Sequence, residues 1–339
     1  MARGDLRTAY KLRWRRRRLL MRSLRKRGQL DPVTDHTASI TPGAILVFAT
    51  VRNEGLRLPF WLDHHRALGA SHFLIVDNDS DDGSAEWLAG QLDVSLWSTS
   101  HGYKASRFGI DWLTVLMRRY GHGHWCLTLD ADELFVYAHH ETRDLRALTG
   151  WLDWQGRESM GALMLDLYPR GPLGRTTHRP TDDPTRTLPY FDAGNYVITR
   201  QPKLQNLWIQ GGVRARAFFA SDPRRAPTLS KVPLIRWHRD YAYVTSTHSA
   251  LPRRLNHVYA QDGSEAPTGV LLHSKFLPNI LQKSQEEQVR RQHFENSELY
   301  QGYYDALVGD PTLWCPQSTR YEGWQQLEAL GLMSRGGWE

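Results

Sequence analysis

Strand-length apolar segments alternate with segments of helical periodicity between residues 44 and 167 of this 339-residue chain. The first segment, Ala44–Val51, is apolar but for Thr50, which is typical of a strand buried on both faces of a parallel sheet. The alternation predicts an α/β fold with a mostly parallel, twisted sheet flanked by helices. Further strands are predicted at His72–Val76, Val94–Trp97, His124–Leu129 and Ala162–Leu167, and helices at Leu58–Leu68, from Ser84, at Lys104–Tyr120 and at Asp144–Trp154.

Polar residues stand at the carboxyl ends of three of these strands, at Arg52–Glu54, Asp77–Asp82 and Asp130–Glu133. Ligands of open α/β sheets bind outside this edge, so the three segments predict one site. Neither a Gly-x-Gly-x-x-Gly nor a Gly-x-x-x-x-Gly-Lys-Ser/Thr sequence follows the first strand. A dinucleotide site and a P-loop are therefore disfavoured, and phosphate must be held in another way.

Two carboxylates one residue apart, Asp130 and Asp132, follow the strand that ends at Leu129. At that spacing both can reach a hard cation such as Mg²⁺ or Mn²⁺, with waters completing an octahedron. The ion would bridge to a diphosphate and neutralise the charge of a leaving nucleoside diphosphate. Most isolated Asp-x-Asp triplets are helix caps or solvated turns, but this one lies beside two other polar strand ends. We therefore expect a metal site on Asp130 and Asp132.

The net charge of +7 is concentrated at one end of the chain. Residues 1–30 contain twelve Lys and Arg residues and one acid, Asp5, a charge of +11, so the remainder carries −4. A basic arm before a mildly acidic globule argues against a broad basic face built by the domain itself. We expect no nucleic-acid partner.

The arm is also amphipathic when wound as a helix. Its apolar side chains fall within about 120° of one another beside a dense arginine face. They are Leu6, Tyr10, Trp14, Leu20, Met21 and Leu24. The pattern predicts a helix on an anionic membrane surface. A solvated tail and non-specific nucleic-acid attachment are the alternatives, and the aligned aromatic rings favour the membrane.

Cysteine content and hydropathy indicate a compartment. Two cysteines, Cys126 and Cys315, are too few for a disulfide framework or a four-thiolate zinc site. No apolar run approaches the roughly 20 residues of a membrane span, and residues 1–30 lack the apolar core of a secretory signal. We expect a cytoplasmic protein that is peripheral on the inner face of the cell membrane.

Three segments together resemble the family 2-like glycosyltransferases of the GT-A fold. They are Thr50–Glu54, Ile75–Ser84 and Leu129–Glu133, and their order and spacing match that family. Lys231–Leu234 and Leu271–Phe276 are similar to later motifs of a bacterial branch of the group. The resemblance implies a GT-A-like fold. It also implies a metal-dependent transfer of a sugar from a nucleotide-diphosphate donor, by family habit a UDP-sugar, to a saccharide or lipid-linked acceptor in cell-surface polysaccharide synthesis.

The resemblance also implies roles for single residues on the donor side. Residues that match the segment lining the nucleotide are Thr50, Arg52, Asn53 and Glu54. Those that match the segment contacting base and ribose are Asp77, Asn78 and Asp79, with Asn78 where the family often has an aspartate. Arg107 matches a basic position near the diphosphate, and Lys275 is a candidate phosphate partner.

For the metal, the resemblance implies Asp130 and Asp132, with Asp132 the direct ligand and Asp130 also beside the nucleotide. His273 matches a late position that supplies another ligand. A buried, hydrogen-bonded histidine is the equally supported alternative for His273.

An inverting transfer needs a general base that takes the proton from the acceptor hydroxyl. Asp240 is favoured because it falls where inverting relatives place their base, and His248 and Asp166 are the alternatives. A retaining enzyme would need no such base. We expect hexosyl transfer with inversion.

The predicted organisation is one large domain between two flanking segments. A basic arm and linker occupies residues 1–42, and a helical extension occupies 283–339, where a polar helix over Asn279–Tyr304 presents Lys283 on a solvated face. The domain between them, 43–282, divides into a nucleotide-binding half, 43–167, and an acceptor half, 168–282.

Two other functions are consistent with parts of the sequence. A nucleotidyltransferase that makes a sugar nucleotide would use the same sheet and metal, but its Gly-rich basic loop is replaced here by Arg52-Asn53-Glu54-Gly55. A nucleic-acid or membrane scaffold acting through the arm would leave the three polar strand ends without a purpose.

Overall fold

The computed structural model describes residues 3–259, 265–290 and 301–339. Its strands are β1 Asp31–Thr34, β2 Ile45–Val51, β3 His72–Asp77, β4 Val94–Ser98, β5 Trp125–Thr128, β6 Glu133–Val136, β7 Ser159–Asp166, β8 Tyr190–Phe191, β9 Val197–Arg200, β10 Leu207–Gln210, β11 Ser230–Arg236, β12 Ala242–Tyr243, β13 Ala250–Leu251, β14 Thr268–His273 and β15 Thr319–Arg320. Its α-helices are α1 Arg3–Arg25, α2 Leu58–Ala67, α3 Ser84–Ala89, α4 Ile110–Tyr120, α5 Leu145–Trp154, α6 Pro184–Thr187, α7 Gly212–Phe218, α8 Ile280–Arg290, α9 Gln301–Val308 and α10 Trp324–Ala329.

A nine-stranded sheet in the order β1-β4-β3-β2-β5-β11-β7-β14-β6 forms the centre of the molecule. Six of its strands run in one direction, while β1, β6 and β11 run antiparallel to their neighbours. Because side chains alternate along β2, Val47 and Ala49 pack with α2, α3 and α5, and Leu46 and Phe48 pack with α4 on the opposite face. This arrangement confirms the predicted α/β class with a mostly parallel sheet flanked by helices.

The predicted helix Lys104–Tyr120 is interrupted at its start. Arg107, Phe108 and Gly109 all have positive φ, at 53°, 57° and 75°, so α4 begins only at Ile110. The turn brings Gly109 against Thr50 of β2, where a Cβ on Gly109 would lie 2.4 Å from the Thr50 hydroxyl oxygen. Only glycine combines that backbone conformation with so close a contact, which the apolar periodicity of the segment did not reveal.

The basic arm forms a helix that is docked on the globule. Leu12 and Leu20 of α1 are only 8% and 7% exposed. Near its carboxyl end, Arg22 Nε lies 2.7 Å from Asp111 Oδ2 and Ser23 Oγ lies 3.2 Å from Asp111 Oδ1, on α4. The segment after the helix is part of the sheet, because β1 pairs with β4. The predicted boundary at residue 42 therefore does not separate an independent arm and linker.

The carboxyl-terminal segment also joins the main core. The predicted boundary at 282/283 falls inside α8, and β15 pairs with β8. Trp324 and Leu327 are buried in the same apolar cluster as the sheet. Of the predicted helix over Asn279–Tyr304, α8 and α9 form the two ends, and residues 291–300 lie outside the described residues. The described residues of 283–339 thus contribute directly to the fold of the preceding domain.

Throughout the described ranges, no helix is both long enough and apolar enough to cross a membrane.

Docking of α1 is expected to contribute to stability through the buried carboxylate of Asp111. Arg107 lies 2.7 Å from Asp111 and its side chain is 15% exposed, so Asp111→Asn would leave that guanidinium and Arg22 without their counter-charge. We expect the free energy of unfolding to fall by about 3 kcal/mol. Asp153→Asn is the control, because the Asp153–Arg236 pair is half-exposed and worth less than about 1 kcal/mol. Denaturant titration measures both variants, and equal effects would contradict the docking role.

Candidate functional site

The loops after β2 and β3 are joined by hydrogen bonds. Arg52 Nη1 donates to the carbonyl of Asn78 at 2.7 Å. The backbone N–H of Asn53 donates to Ser80 Oγ, and the Asn53 side-chain oxygen accepts from the N–H of Asp81, each at 2.9 Å. Two of the three predicted polar strand ends therefore form one continuous surface at the carboxyl edge of the sheet.

Within this surface some of the predicted residues brace the loops and others stay accessible. Asp77 accepts from the N–H of Ser80 at 3.0 Å, and the Asn78 amide donates to the carbonyls of Thr99 and His101. The Asp79 side chain is 66% exposed, 3.2 Å from Arg52. Thr50 Oγ1 is buried and has no hydrogen-bond partner among the described residues.

At the third strand end, the two aspartates of the Asp-x-Asp triplet point to different partners. Asp130 Oδ2 lies 2.7 Å from Lys231 Nζ of β11, whereas Asp132 Oδ2 lies 2.9 Å from His273 Nε2 of β14. The two carboxylates thus face different partners. The cause is β6, which begins at Glu133 and pairs antiparallel with β14, so that the chain reverses its direction across the triplet.

Lys231 is a buried cation held by two carboxylates. Its Nζ contacts Asp130 and also Glu133, whose side chain is fully buried. Burial raises the pKa of Glu133 to about 7, against the opposing effect of Lys231. Burial opposes the charge on Lys231 as well, but Asp130 and Glu133 outweigh it and raise the pKa of the ammonium. Sequence reasoning did not assign Lys231 a role, although a lysine heading the apolar run Val232–Ile235 is a signal for a buried ion pair.

His273 lies between two carboxylates because of the strand register. It stands opposite Asp166 on parallel β7, and Ser274 N–H donates to the carbonyl of Asp132 at 2.7 Å. His273 Nδ1 is 2.5 Å from Asp166 Oδ1, and Nε2 is 2.9 Å from Asp132 Oδ2. Ionised carboxylates accept only, so this arrangement favours the charged ring, with both nitrogens donating. Burial opposes this charge, but Asp132 and Asp166 outweigh it and raise the pKa of His273.

Both carboxylates in this cluster are ionised. Burial disfavours the charge on Asp166, but Arg214 of α7, at 2.7 Å, and His273 lower its pKa to about 2. Burial likewise opposes the charge on Asp132, and His273, Arg57 and Lys275 hold its pKa well below the ordinary value. We call Asp132, Asp166, Arg214 and His273 the histidine cluster.

Basic side chains close the space between the histidine cluster and the loop after β2. Arg57 Nη1 lies 2.8 Å from Glu54, and its Nη2 donates to the carbonyl of Ser274 at 3.2 Å. Lys283 of α8 reaches the other oxygen of Glu54 at 2.5 Å. Burial lowers the pKa of Lys275, which lies near enough to Asp132 to be attracted by it. The site therefore presents Arg57, Lys275 and Lys283 next to ionised carboxylates.

The contact of Lys283 corrects the sequence interpretation of its helix as a solvated face without chemistry. Glu54 and Lys283 are far apart in sequence and meet because α8 folds back over the loop after β2. Arg57 and Arg214 were likewise missed. Each is an ordinary surface-type residue in the sequence, and only the packing of distant segments places it in the site.

Two further predicted residues lie apart from Asp132 or are otherwise engaged. Arg107 donates to Asp111 and to the carbonyl of Tyr243 at 2.8 Å, so its place near a diphosphate stays a prediction. Asp240 follows the carboxyl end of β11, which is the edge of the sheet opposite Asp130, and its side chain is 56% exposed beside His238. The geometry does not favour Asp240 as the base, and its role stays a prediction.

His248 lies at the same edge as Asp130. Its Nδ1 is 2.7 Å from the carbonyl of Ser230, the first residue of β11. A carbonyl oxygen only accepts, so Nδ1 carries the hydrogen and Nε2 is the nitrogen that can take a proton. Burial, together with nearby Lys231, lowers the pKa of His248 to about 4. The ring of Trp208 lies beside it, with 6.5 Å between centroids.

Within the part of the chain that is described, no three His, Cys, Asp or Glu side chains form a ready metal-binding group. Asp132 and His273 could still hold a cation between them, which would take the place of the proton on His273 Nε2. Adjacent ligands of an octahedral ion with bonds of about 2.1 Å lie about 3.0 Å apart. The 2.9 Å between Asp132 Oδ2 and His273 Nε2 matches that spacing, and Asp166 holds the other ring nitrogen as carboxylates commonly do behind a metal-ligating histidine.

Comparison with known proteins identifies a distant glycosyltransferase relative. No protein-family model matches the chain. A glycosyltransferase family 92 protein of Arabidopsis thaliana is 25% identical over 140 residues, which are 37% of this chain and 23% of that protein. The matched segment thus spans about a quarter of the relative, and the activity of the whole relative is not carried over.

Similar solved structures are remote. S. aureus TarS has a TM-score of 0.26 at 13% identity, covering 42% of this chain and 26% of that one. A mannosyltransferase, PcManGT, from Pyrobaculum calidifontis in complex with GDP-Man and Mn²⁺ has a TM-score of 0.26 at 19% identity, covering 49% and 44%. A putative glucose-1-phosphate thymidylyltransferase from Bacillus anthracis in complex with sucrose has a TM-score of 0.29 at 12% identity, covering 85% and 96%. At such TM-scores these likenesses carry no functional argument.

Proposed function

We propose that this chain is a metal-dependent glycosyltransferase. It would transfer a hexosyl group, with inversion, from a nucleotide-diphosphate donor to a saccharide or lipid-linked acceptor in cell-surface polysaccharide synthesis. The observation that carries the proposal is the meeting of Asp132 and His273 at the carboxyl edge of the sheet, with basic side chains beside them. The family 2-like motifs support a UDP-sugar as donor, and the partial similarity to a family 92 glycosyltransferase supports the reaction class.

Asp132 and His273 are the proposed ligands of Mn²⁺ or Mg²⁺. Such an ion supplies Lewis-acid stabilisation of the charge that develops on the leaving diphosphate. Asp130 faces Lys231, so its proposed role is beside the nucleotide and not as an equal partner of Asp132.

The basic side chains of the site are proposed to bind the donor diphosphate. Lys275 is buried near Asp132, and Arg57 and Lys283 share the single carboxylate of Glu54. Two cations on one carboxylate leave an excess of positive charge, which a diphosphate would neutralise through charge-assisted hydrogen bonds. The adjoining surface of Arg52, Asn53 and Asp79 is the proposed seat of the nucleoside.

The first test separates the two aspartates of the triplet. Asp132→Ala is expected to abolish Mn²⁺-dependent donor binding and sugar transfer, whereas Asp130→Ala should reduce them less because Asp130 is paired with Lys231. Thermal-shift measurements with a panel of nucleoside diphosphates, with and without Mn²⁺, report binding, since a ligand at 100 times its Kd stabilises by about 2.7 kcal/mol. Asp153→Ala is the surface control. Unchanged donor binding and transfer in Asp132→Ala would show the proposal to be wrong.

The same assay decides between the proposed reaction and its alternative. Incubation with nucleotide sugar and acceptor should yield a glycosylated product, with the anomeric configuration read by NMR. A nucleotidyltransferase would instead form a sugar nucleotide from a nucleoside triphosphate and a sugar phosphate.

Asp166 is the proposed positioning residue behind His273. Asp166→Asn would keep the size of the side chain but lose the charge that orients Nδ1–H of His273 and pairs with Arg214, so Mn²⁺ affinity is expected to fall by about 10- to 100-fold. Isothermal titration with Mn²⁺ and no donor measures this directly. Asp222→Asn, whose partner Arg225 is on the surface, should leave the affinity unchanged. If Asp166→Asn binds Mn²⁺ as the wild type does, His273 is not oriented in this way.

We propose His248 as the base that takes the acceptor proton, because it lies at the same edge of the sheet as Asp130 and Asp240 does not. His248→Asn retains a donor toward the Ser230 carbonyl but removes the basic nitrogen Nε2, and the transfer rate is expected to fall by about 10²- to 10⁴-fold with donor binding unchanged. Asp240→Asn is expected to have little effect. The reverse ranking of the two rates would restore the prediction made for Asp240.

We also propose that α1 lies on the anionic inner surface of the cell membrane. Five of the six apolar residues of the predicted stripe are between 42% and 61% exposed: Leu6, Tyr10, Trp14, Met21 and Leu24. The sixth, Leu20, is buried against the globule. One side of α1 thus packs on the globule while the adjoining side presents apolar side chains among arginines, as an interfacial helix requires.

A further inference from the structure

A cleft of about 390 Å³ lies between α1 and the hairpin formed by β9 and β10. We call it the α1 cleft. Its wall combines two aromatic rings, Tyr10 and Trp14, with four basic side chains, Lys11, Arg15, Arg18 and Lys203. We propose that the α1 cleft binds the phosphate headgroup of an anionic phospholipid within a bilayer. The inference rests on the proposed membrane attachment of α1 and is independent of sugar transfer.

Both sides of the cleft are anchored in the same apolar cluster. Leu12 of α1 is buried with Val244 and Leu251, and Leu204 of the hairpin packs against the same cluster. The side chain of Asn256 donates to the carbonyl of Leu204 at 2.9 Å. Lys203, next to Leu204, is therefore held at the helix although it is remote from it in sequence.

The positive charge of the α1 cleft favours binding of an anion. Four basic side chains line it, and the described lining contains no Asp or Glu. Positive charges brought together without a carboxylate repel one another, and a bound phosphate would offset that repulsion. This is the charge complementarity that an anionic headgroup supplies.

The aromatic side chains place this phosphate at a membrane surface. The rings of Tyr10 and Trp14 meet edge to face with 6.3 Å between centroids and are 61% and 48% exposed. Trp and Tyr are enriched at the level of lipid headgroups, where one part of the ring is apolar and another is wet. The exposed side chains of Leu6, Met21 and Leu24 continue the same face of α1 and would enter the acyl boundary. Nucleic acid would match the charges but leave these apolar side chains in water.

Lys203 distinguishes a built cleft from general attraction by a basic helix. A purely electrostatic arm would act through α1 alone, whereas the cleft needs a cation from the hairpin. Arg146 offers a matched control: it is exposed on α5, which covers the opposite face of the sheet from α1 and α4. Lys203→Glu and Arg146→Glu change the net charge by the same amount.

The test is co-sedimentation of the full chain with vesicles of phosphatidylcholine alone or with roughly 30% phosphatidylglycerol, an anionic lipid. We expect binding only to the anionic vesicles. Lys203→Glu should weaken that binding by about 5-fold or more, since one lysine near an anionic surface contributes about 1 kcal/mol. Arg146→Glu should bind as the wild type does. Thermal unfolding and donor binding of both variants establish that they are folded.

Several outcomes would overturn the proposal. Equal affinities of Lys203→Glu and the wild type for anionic vesicles would show that the cleft does not take part in binding. Equal binding to neutral vesicles would show that the anionic headgroup is not recognised. Displacement from vesicles by inorganic phosphate at constant ionic strength would assign the cleft to a soluble phosphate. Binding of duplex DNA at physiological salt without binding of vesicles would assign it to nucleic acid. If the wild-type protein binds anionic vesicles but transfers no sugar, the proposed glycosyltransferase function would be wrong and the α1 cleft would be unaffected.

Discussion

The ionic contact of His273 with Asp132 and Asp166 is the interaction on which the site depends. It links the carboxyl ends of β7 and β14 to the chain that leaves β5, and Arg214 anchors it from α7. The group is buried, so removing one member would leave charge in a medium of low dielectric without compensation. That cost holds three separate segments of the chain in a single geometry. The proposed cation ligands are thereby positioned by interactions that exist without the cation.

A second charged group, built on Lys231, explains why the two aspartates of the triplet differ. Lys231 neutralises Asp130 and Glu133 on one side of the turn, and His273 engages Asp132 on the other. Asp130 and Glu133 thus share one cation, and the carboxylate of Asp132 is paired with another. Beyond these pairs, Glu54 is shared by Arg57 and Lys283, which leaves positive charge facing the space between the strand ends. The excess positive charge of Arg57 and Lys283 therefore favours binding of an anionic ligand beside the paired carboxylates.

The sequence reveals the parts of this arrangement that depend on local pattern. Apolar runs place β2, β3, β5 and β7, and the polar residues that end them fall at one edge because parallel strands share a direction. Contacts between distant segments were out of reach: no local pattern indicates that Lys283 meets Glu54 or that Arg22 meets Asp111. Backbone conformation was missed where it breaks periodicity, as in the turn Arg107–Gly109. Asp130 and Asp132 face different partners because of β6. This short edge strand directly follows the acidic segment and was not predicted from the sequence.

The docking of α1 through Ser23 and Arg22 has a mechanical consequence. A flexible basic tail would act only as a tether, so the globule could adopt any tilt and any height above a bilayer. Because α1 is bound to α4 through the buried carboxylate of Asp111, its orientation relative to the globule is instead fixed. On a membrane, as proposed for α1, such a protein would adopt one orientation, and the carboxyl edge of its sheet would stay at one height above the bilayer. For the proposed transfer, the acceptor groups within reach would then depend on their distance from the bilayer as much as on their chemistry.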